Sequence, residues 1–382
     1  MKLFIVVNED WFFLSHRKDV ALRAQKAGWD VTIVTSDTGK LGEINSMGLR
    51  TINLPMNRSG MNIWEEMRTL NWLRKLYMHE RPDVVHHVGM KAIMWGTLAA
   101  KISKVSGVVN AVSGLGWFFA EENKSLLTRM ALKVLKFSHS QTNILCIFQN
   151  NEDKDLFVKR GIINSGQARY IKGSGVNLKT FCYTPEPEID PNRKGFIGRG
   201  RINVVLTARM LVEKGVFTLV EAAERLRNKY GNEVQFQLIG GLYDHPGAIT
   251  KNQLEDVCDG DYITWLGFRT DIRELLGACH IVALPSYYKE GLPKSLIEAA
   301  AVGRPIVTCN TVGCRDAVID GVTGYLIPAR DVEALVEKLD LLLSDKTLRI
   351  KMGKAGRKYA EGCFDIETVI EKHLSIYNEL VK

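Results

Sequence analysis

The chain has 382 residues, long for one domain and suited to two, and its 46% hydrophobic and 25% charged residues exclude long disorder. Seven scattered cysteines, an odd number without a paired CxxC, argue against a disulfide framework or structural zinc and fit a reducing compartment. The net charge of +8 is unevenly held: residues 1–185 carry 25 Lys and Arg against 15 Asp and Glu, the remainder 26 against 28, so the first half suits either an anionic partner or a plain solvated surface.

The opening apolar run, residues 3–7, is too short for a signal-peptide core and reads as a first buried strand. Further strands are expected at 31–35, 50–54, 83–88, 108–112 and 143–148, alternating with amphipathic helices. Several are continuous apolar runs, as a parallel sheet covered on both faces requires. Residues 185–195 hold three prolines and few apolar residues, the best linker in the chain. Strands then resume at 203–208, 235–239, 262–265, 280–284 and 305–309, and a last helix is expected at 366–381. No run approaches the roughly 18 apolar residues that cross a bilayer. The predicted division is therefore 1–185 and 186–365, two α/β domains of doubly wound type, with 366–382 as a terminal helix.

The densest chemistry lies at Glu290-Gly291-Leu292-Pro293-Lys294-Ser295-Leu296-Ile297-Glu298, after the apolar run 281–285. Pro293 is expected to open a helix, whose free backbone N–H groups suit a phosphate. Glu298, about a turn and a half inside, is placed to accept two hydrogen bonds from a ribose diol. Glu290 lies nearer the strand end, where a carboxylate grips a sugar hydroxyl or shields a developing positive charge. Upstream, Arg209 and Lys214 follow another strand and offer a planar fork and a compact charge for phosphate oxygens. An exposed, solvated pair is the bland alternative for these two cations.

This pair of glutamates, with Arg209-Met210-Leu211-Val212-Glu213-Lys214-Gly215, resembles the retaining glycosyltransferases of family 4, which have the GT-B fold. Gly240-Gly241, Gly267-Phe268-Arg269-Thr270-Asp271 and Gly321-Val322-Thr323-Gly324 fall in family order as well. The resemblance implies two Rossmann-like domains facing across a cleft, with the terminal helix crossing back to the first. It implies Glu290, Arg209 and Lys214 as catalytic residues. Donor contacts are implied at Glu298, Gly240, Gly241, Phe268, Arg269, Leu292, Lys294 and Ser295. It further implies a metal-independent reaction without a cofactor, the nucleotide-sugar being a substrate, and an α-linked product from an α-linked donor. A tight turn explains Gly240-Gly241 equally well, and Phe268 reads equally well as core.

The loop after the first strand, Asn8-Glu9-Asp10-Trp11-Phe12-Phe13-Leu14-Ser15-His16-Arg17, lacks the glycine pair of many family members. It resembles instead the subgroup that extends polyprenyl-diphosphate-linked sugars. Ser15, His16 and Arg17 are expected to open a helix and offer groups to an anion. His86 and His87, ending a strand, are expected to point one in and one out, which rules out a shared metal. The resemblance implies acceptor contacts at Ser15, His16, Arg17, His87 and Trp117. Two segments carry apolar residues among cations: Met61, Trp64, Met67, Trp72 and Leu76 with Arg68, Arg74 and Lys75; and Leu126, Leu127, Met130, Val134 and Leu135 with Lys124, Arg129, Lys133 and Lys136. A helix lying on an anionic membrane surface and a helix packed on the sheet both fit them.

The expected function is transfer of a hexose or N-acetylhexosamine from a UDP-sugar to a polyprenyl-diphosphate-linked saccharide. The expected location is cytoplasmic, peripheral at the inner face of the membrane. Rival readings are a GT-B nucleotide-sugar epimerase and a noncatalytic nucleotide-sugar or nucleic-acid binding protein. Paired carboxylates also occur in glycoside hydrolases, but those have no use for phosphate-binding neighbours. No nucleic-acid-binding motif is present, and none is expected as a partner.

Overall fold

A parallel strand covered on both faces tolerates apolar side chains at nearly every position, and the chain supplies two series of such strands. The computed structural model describes residues 1–56, 62–114, 126–189, 200–243, 247–288 and 291–381. They fall into two units, Met1–Gly175 with Ile366–Lys382, and Val176–Asp365. Each of the seven cysteines is a free thiol.

In the first unit the strands are β1 (Lys2–Glu9), β2 (Asp30–Ser36), β3 (Arg50–Asn53), β4 (Val84–Val88), β5 (Gly107–Val112), β6 (Ile144–Phe148) and β7 (Ala168–Tyr170). They pair in parallel in the order β3-β2-β1-β4-β5-β6-β7. Successive side chains of β1 feed opposite layers. Leu3, Ile5 and Val7 join a cluster with Ile370, Ile376 and Tyr377 of helix Ile366–Leu380, while Phe4 and Val6 join Tyr77 and Ile93 on the other face. Gly107 permits the close approach of the terminal helix, since a Cβ there would lie 2.8 Å from Leu380 Cβ.

The second unit holds β8 (Ile202–Thr207), β9 (Val234–Ile239), β10 (Ile263–Trp265), β11 (Ile281–Leu284), β12 (Ile306–Cys309) and β13 (Gly324–Ile327), again parallel, in the order β10-β9-β8-β11-β12-β13. Strand order reverses at β1/β4 and at β8/β11. Loops leaving the carboxyl ends of these central strands line the ligand crevice of a doubly wound sheet. The site sequences follow β1, β8 and β11.

Two strands, β7 and β13, go beyond the sequence expectation. Both are short and sit at sheet edges; β7 carries Arg169 at its centre, and β13 opens on Gly324. The proline-rich linker also reads differently. The chain enters the second unit at Val176, and Pro185–Ile189 already belongs to it. Glu186 makes a bidentate pair with the buried Arg349 at 2.8 Å, and Arg304 donates to the carbonyls of Thr184 and Pro185. Residues 190–195 of that segment lie outside the described residues.

Candidate active site

The loop after β8 turns through a short helical segment, Val212–Lys214, and Gly215 starts helix Val216–Tyr230 in a left-handed conformation, φ 76°. It is stitched to the loop after β11. The Tyr287 amide donates to the Glu213 carbonyl at 3.0 Å, and the Ser286 hydroxyl donates to the same oxygen at 3.3 Å. A Cβ on Gly215 would lie 2.2 Å from the Pro285 carbonyl oxygen, so glycine is needed for the two loops to meet. Lys214 is consequently buried, 6% exposed, with its ammonium 5.6 Å from the centroid of the Tyr288 ring. Arg209 lies over the ring of Tyr243 at 4.9 Å. Glu290 itself lies outside the described residues.

Helix Lys294–Val302 begins one residue later than expected. Pro293 has extended geometry, φ −62° and ψ 124°, and is the cap rather than the first helical residue. Lys294 and Ser295 therefore occupy the first turn, with Leu292 buried just before it. Glu298, one turn on, is 12% exposed and lies 3.8 Å from the Lys294 ammonium. Burial pushes its carboxyl up to about 7, and the Lys294 charge offsets only part of this.

At the end of β9, Gly240 is required by packing: a Cβ would lie 1.7 Å from the Ala208 carbonyl oxygen. Its amide donates to Gly267 O at 2.9 Å, and the Trp265 indole donates to its carbonyl at 2.9 Å. Gly241 faces Phe268, whose Cβ would be 3.4 Å from an added Cβ. Phe268 is not core; it is 76% exposed. Arg269 is held by Asp271, with Nε 2.8 Å from Oδ1.

The acceptor-side residues are placed less uniformly. Asp10–His16 forms a helix directly after β1, so Ser15 and His16 end a helix instead of opening one, and Arg17 links it to helix Lys18–Lys26. Consecutive helical residues face different ways. Ser15 is exposed, His16 stacks on Phe12 at 4.1 Å, and Arg17 is 2% exposed. The Arg17 guanidinium donates to His16 O at 2.9 Å, and burial lowers it to about 10 beside Tyr377. Trp117 lies outside the described residues.

His86 and His87 point to opposite layers as expected, but both layers are covered and both side chains are fully buried. His87 sits in a satisfied network. Its Nδ1 donates to Asn110 Oδ1 at 2.9 Å and its Nε2 accepts from Tyr77 OH at 3.0 Å; Asn110 Nδ2 donates to His139 Nε2 at 2.9 Å, and His139 Nδ1 donates to Leu135 O at 2.8 Å. Only neutral imidazoles fit this pattern, and burial lowers both histidines to about 4.

Asp10 escaped the sequence reading. Fully buried, it accepts from the amides of Trp11, Thr38 and Lys40 at 2.7, 2.8 and 2.9 Å and from the Thr38 hydroxyl. It thereby ties the loop after β2 to the loop after β1. Burial opposes its ionisation, but these hydrogen bonds outweigh it and hold the carboxyl below the usual range. The available signal was a carboxylate pair, Glu9-Asp10, at the end of a buried strand.

Among the described residues no cluster of histidine, cysteine or carboxylate side chains has the makings of a metal site, and no helix is long and apolar enough to cross a membrane.

Two doubly wound parallel sheets, with cations and a helix start gathered at the switch point of the second, define a GT-B glycosyltransferase. Residues 192–359 match glycosyl transferases group 1, and residues 2–150 match the glycosyl transferase 4-like family. The chain belongs to the family-4-type glycosyltransferases. It is 29% identical over 361 residues to the N,N'-diacetylbacillosaminyl-diphospho-undecaprenol alpha-1,3-N-acetylgalactosaminyltransferase of Campylobacter jejuni, covering 92% of each chain. It is 25% identical to the UDP-Gal:alpha-D-GlcNAc-diphosphoundecaprenol alpha-1,3-galactosyltransferase of Escherichia coli, over 92% of this chain and 90% of that one. Among solved structures it is similar to HepE of Anabaena in complex with UDP, with a TM-score of 0.79 and 17% identity over 99% of this chain and 100% of that one. A glycosyltransferase from Rickettsia africae gives 0.78 at 19% identity, over 100% and 99%. These structural likenesses show the fold.

Proposed function

We propose that this glycosyltransferase moves a hexose or N-acetylhexosamine from a UDP-sugar to a polyprenyl-diphosphate-linked saccharide, forming an α-glycosidic bond with retention. The observation that carries the reading is the assembly at the β8/β11 switch point. There, Lys214 is buried against the loop that leads to Glu290, and Lys294 and Ser295 open a helix with Glu298 one turn inside. Two relatives named for undecaprenyl-diphosphate-linked acceptors support the acceptor class.

In this mechanism Arg209 and Lys214 neutralise the diphosphate as it departs, and the amides of Lys294 and Ser295 receive phosphate oxygens. Glu298, when ionised, accepts from both ribose hydroxyls. Phe268 and the loop after β10 receive the base, and the family resemblance assigns the sugar contact to Glu290. No protein nucleophile or metal takes part. The leaving phosphate oxygen takes the proton from the acceptor hydroxyl, which attacks on the face the diphosphate vacates.

The acceptor would be met at an anionic membrane surface, on the cytoplasmic side. Helix Leu126–His139 supports this: Arg129, Met130, Lys133, Lys136 and Phe137 are exposed, Met130 at 53% and Phe137 at 60%, and the helix has no acidic residue. Helix Ile63–Glu80 adds Trp64 at 79% and Met67 at 39%, while its Leu73 and Tyr77 pack inward.

The test is a panel of UDP- and GDP-sugars with a short-chain polyprenyl-diphosphate N-acetylhexosamine, read by product mass and by the anomeric configuration of the new bond. A gain of one sugar from a single UDP donor, α-linked, is expected. A β-linked product would overturn retention. No gain while UDP binds would overturn the acceptor class, and no binding of UDP would overturn the donor site.

A further inference from the structure

Each of the two donor-side cations lies against a tyrosine ring from a different neighbouring loop. β8 has β9 on one side and β11 on the other. The loop after β9 supplies Tyr243, with the Arg209 guanidinium 4.9 Å from its ring centroid, and the loop after β11 supplies Tyr288, with the Lys214 ammonium at 5.6 Å. Both distances fall within cation–π range, about 6 Å.

We propose that Tyr243 and Tyr288 are positioning residues that hold Arg209 and Lys214 where the departing diphosphate forms. The proposal rests on the donor-site reading given above. The chemistry of the contact suits the task. A long flexible cation left to itself samples many rotamers, and fixing it at the moment of reaction costs entropy. A ring face attracts the cation through its quadrupole and leaves the net positive charge available to phosphate oxygens.

The rings are themselves anchored to the loop that bears the cations. Tyr288 follows the pair of hydrogen bonds to Glu213 O, and its own amide donates to Ser286 Oγ at 3.4 Å. On the other side the Met210 amide donates to Gly241 O at 3.2 Å, and Leu211 bridges to Ala248. The three loops thus form one backbone-tied frame in which each cation lies against its own ring. Charge on the diphosphate grows as the bond to the sugar breaks, so loss of this frame raises the barrier more than it weakens donor binding.

The experiment compares Tyr288→Leu, Tyr288→Phe, Tyr243→Leu and Tyr243→Phe with Arg209→Ala and Lys214→Ala, measuring kcat, donor KM and UDP affinity. Each Leu variant is expected to lose about tenfold in kcat with donor KM changed by less than about threefold. The Phe variants keep the ring and restore most of the loss. Where a Leu variant fails to fold or to bind UDP, Met at the same position, similar in volume and without a ring, decides the question. Leu variants turning over at the native rate, while Arg209→Ala and Lys214→Ala are slow, overturn the positioning role and leave the donor site standing. Phe variants as slow as Leu variants also overturn it, since the hydroxyl would then be the working group. Native turnover in Arg209→Ala and Lys214→Ala overturns the donor-site reading and this proposal with it.

Discussion

At the scale of single residues the proposed donor site turns on a carboxyl poised between two states. Glu298 is buried one turn inside helix Lys294–Val302, and burial lifts it to about 7. The neutral acid has one acceptor oxygen fewer to offer than the carboxylate, so a ribose diol is gripped fully only above that value. Affinity for a UDP-sugar is therefore expected to rise several-fold between pH 6 and pH 8, by titration calorimetry without acceptor. Glu298→Gln, which does not titrate, is expected to bind weakly and with a flat profile over the same range. A native profile that is already flat contradicts a ribose contact at Glu298. The motif that drew attention to this residue was legible because its spacing is fixed along the chain. Tyr243 and Tyr288 were not, since each meets its cation across two loops. Arg17 and His87 show the converse: the resemblance implied acceptor contacts for both, and their burial and internal hydrogen bonds are tertiary properties that no spacing records.

At the scale of elements the central strands announce themselves. Residues 281–284 are apolar at every position and buried throughout, and such a run needs no partner to be recognised. Strands β7 and β13 hide for local reasons: β7 is three residues long with Arg169 at its centre, and β13 is four residues long and opens on Gly324. Helix Leu126–His139 packs on one side and meets solvent on the other. Leu135 is fully buried, while Met130, Lys133, Lys136 and Phe137 look outward. Each cation near an anionic surface contributes about 1 kcal/mol of binding. Lys133→Glu with Lys136→Glu is accordingly expected to reduce co-sedimentation with vesicles containing anionic lipid by about tenfold or more, leaving UDP affinity unchanged. The effect should fade in neutral vesicles and at high salt. Unaltered vesicle binding by the double variant would remove this helix from the membrane-facing surface.

At the scale of the whole molecule the two units should answer acid differently. In the first unit His86, His87, His139 and His373 are all buried with lowered pKa, burial being the main cause in each. In the second, among the described residues, His280 is lowered to about 3 by burial, while Glu298 is raised to about 7 by the same cause. A histidine whose folded pKa lies below its ordinary 6.5 binds protons more readily when unfolded, so its contribution to stability is intact above 6.5 and drains away as pH falls toward the folded value. Glu298 runs the other way. Its folded pKa exceeds the ordinary 4.5, so its contribution is intact below 4.5 and is lost as pH rises through 7. Across pH 6.5 to 5 the two groups of the second unit oppose each other, whereas the four of the first act together, each at up to about 1.4 kcal/mol per pH unit. Lowered carboxyls such as Asp10 and Glu80 add their losses only below the ordinary carboxylate range. Calorimetric scans from pH 7.5 to pH 5 should thus show one transition moving sharply down while another stays nearly fixed. On the proposed donor site UDP binds the second unit, so the transition that UDP raises is expected to be the nearly fixed one. Two transitions falling in parallel would mean that the buried histidines of the first unit do not hold their neutral state.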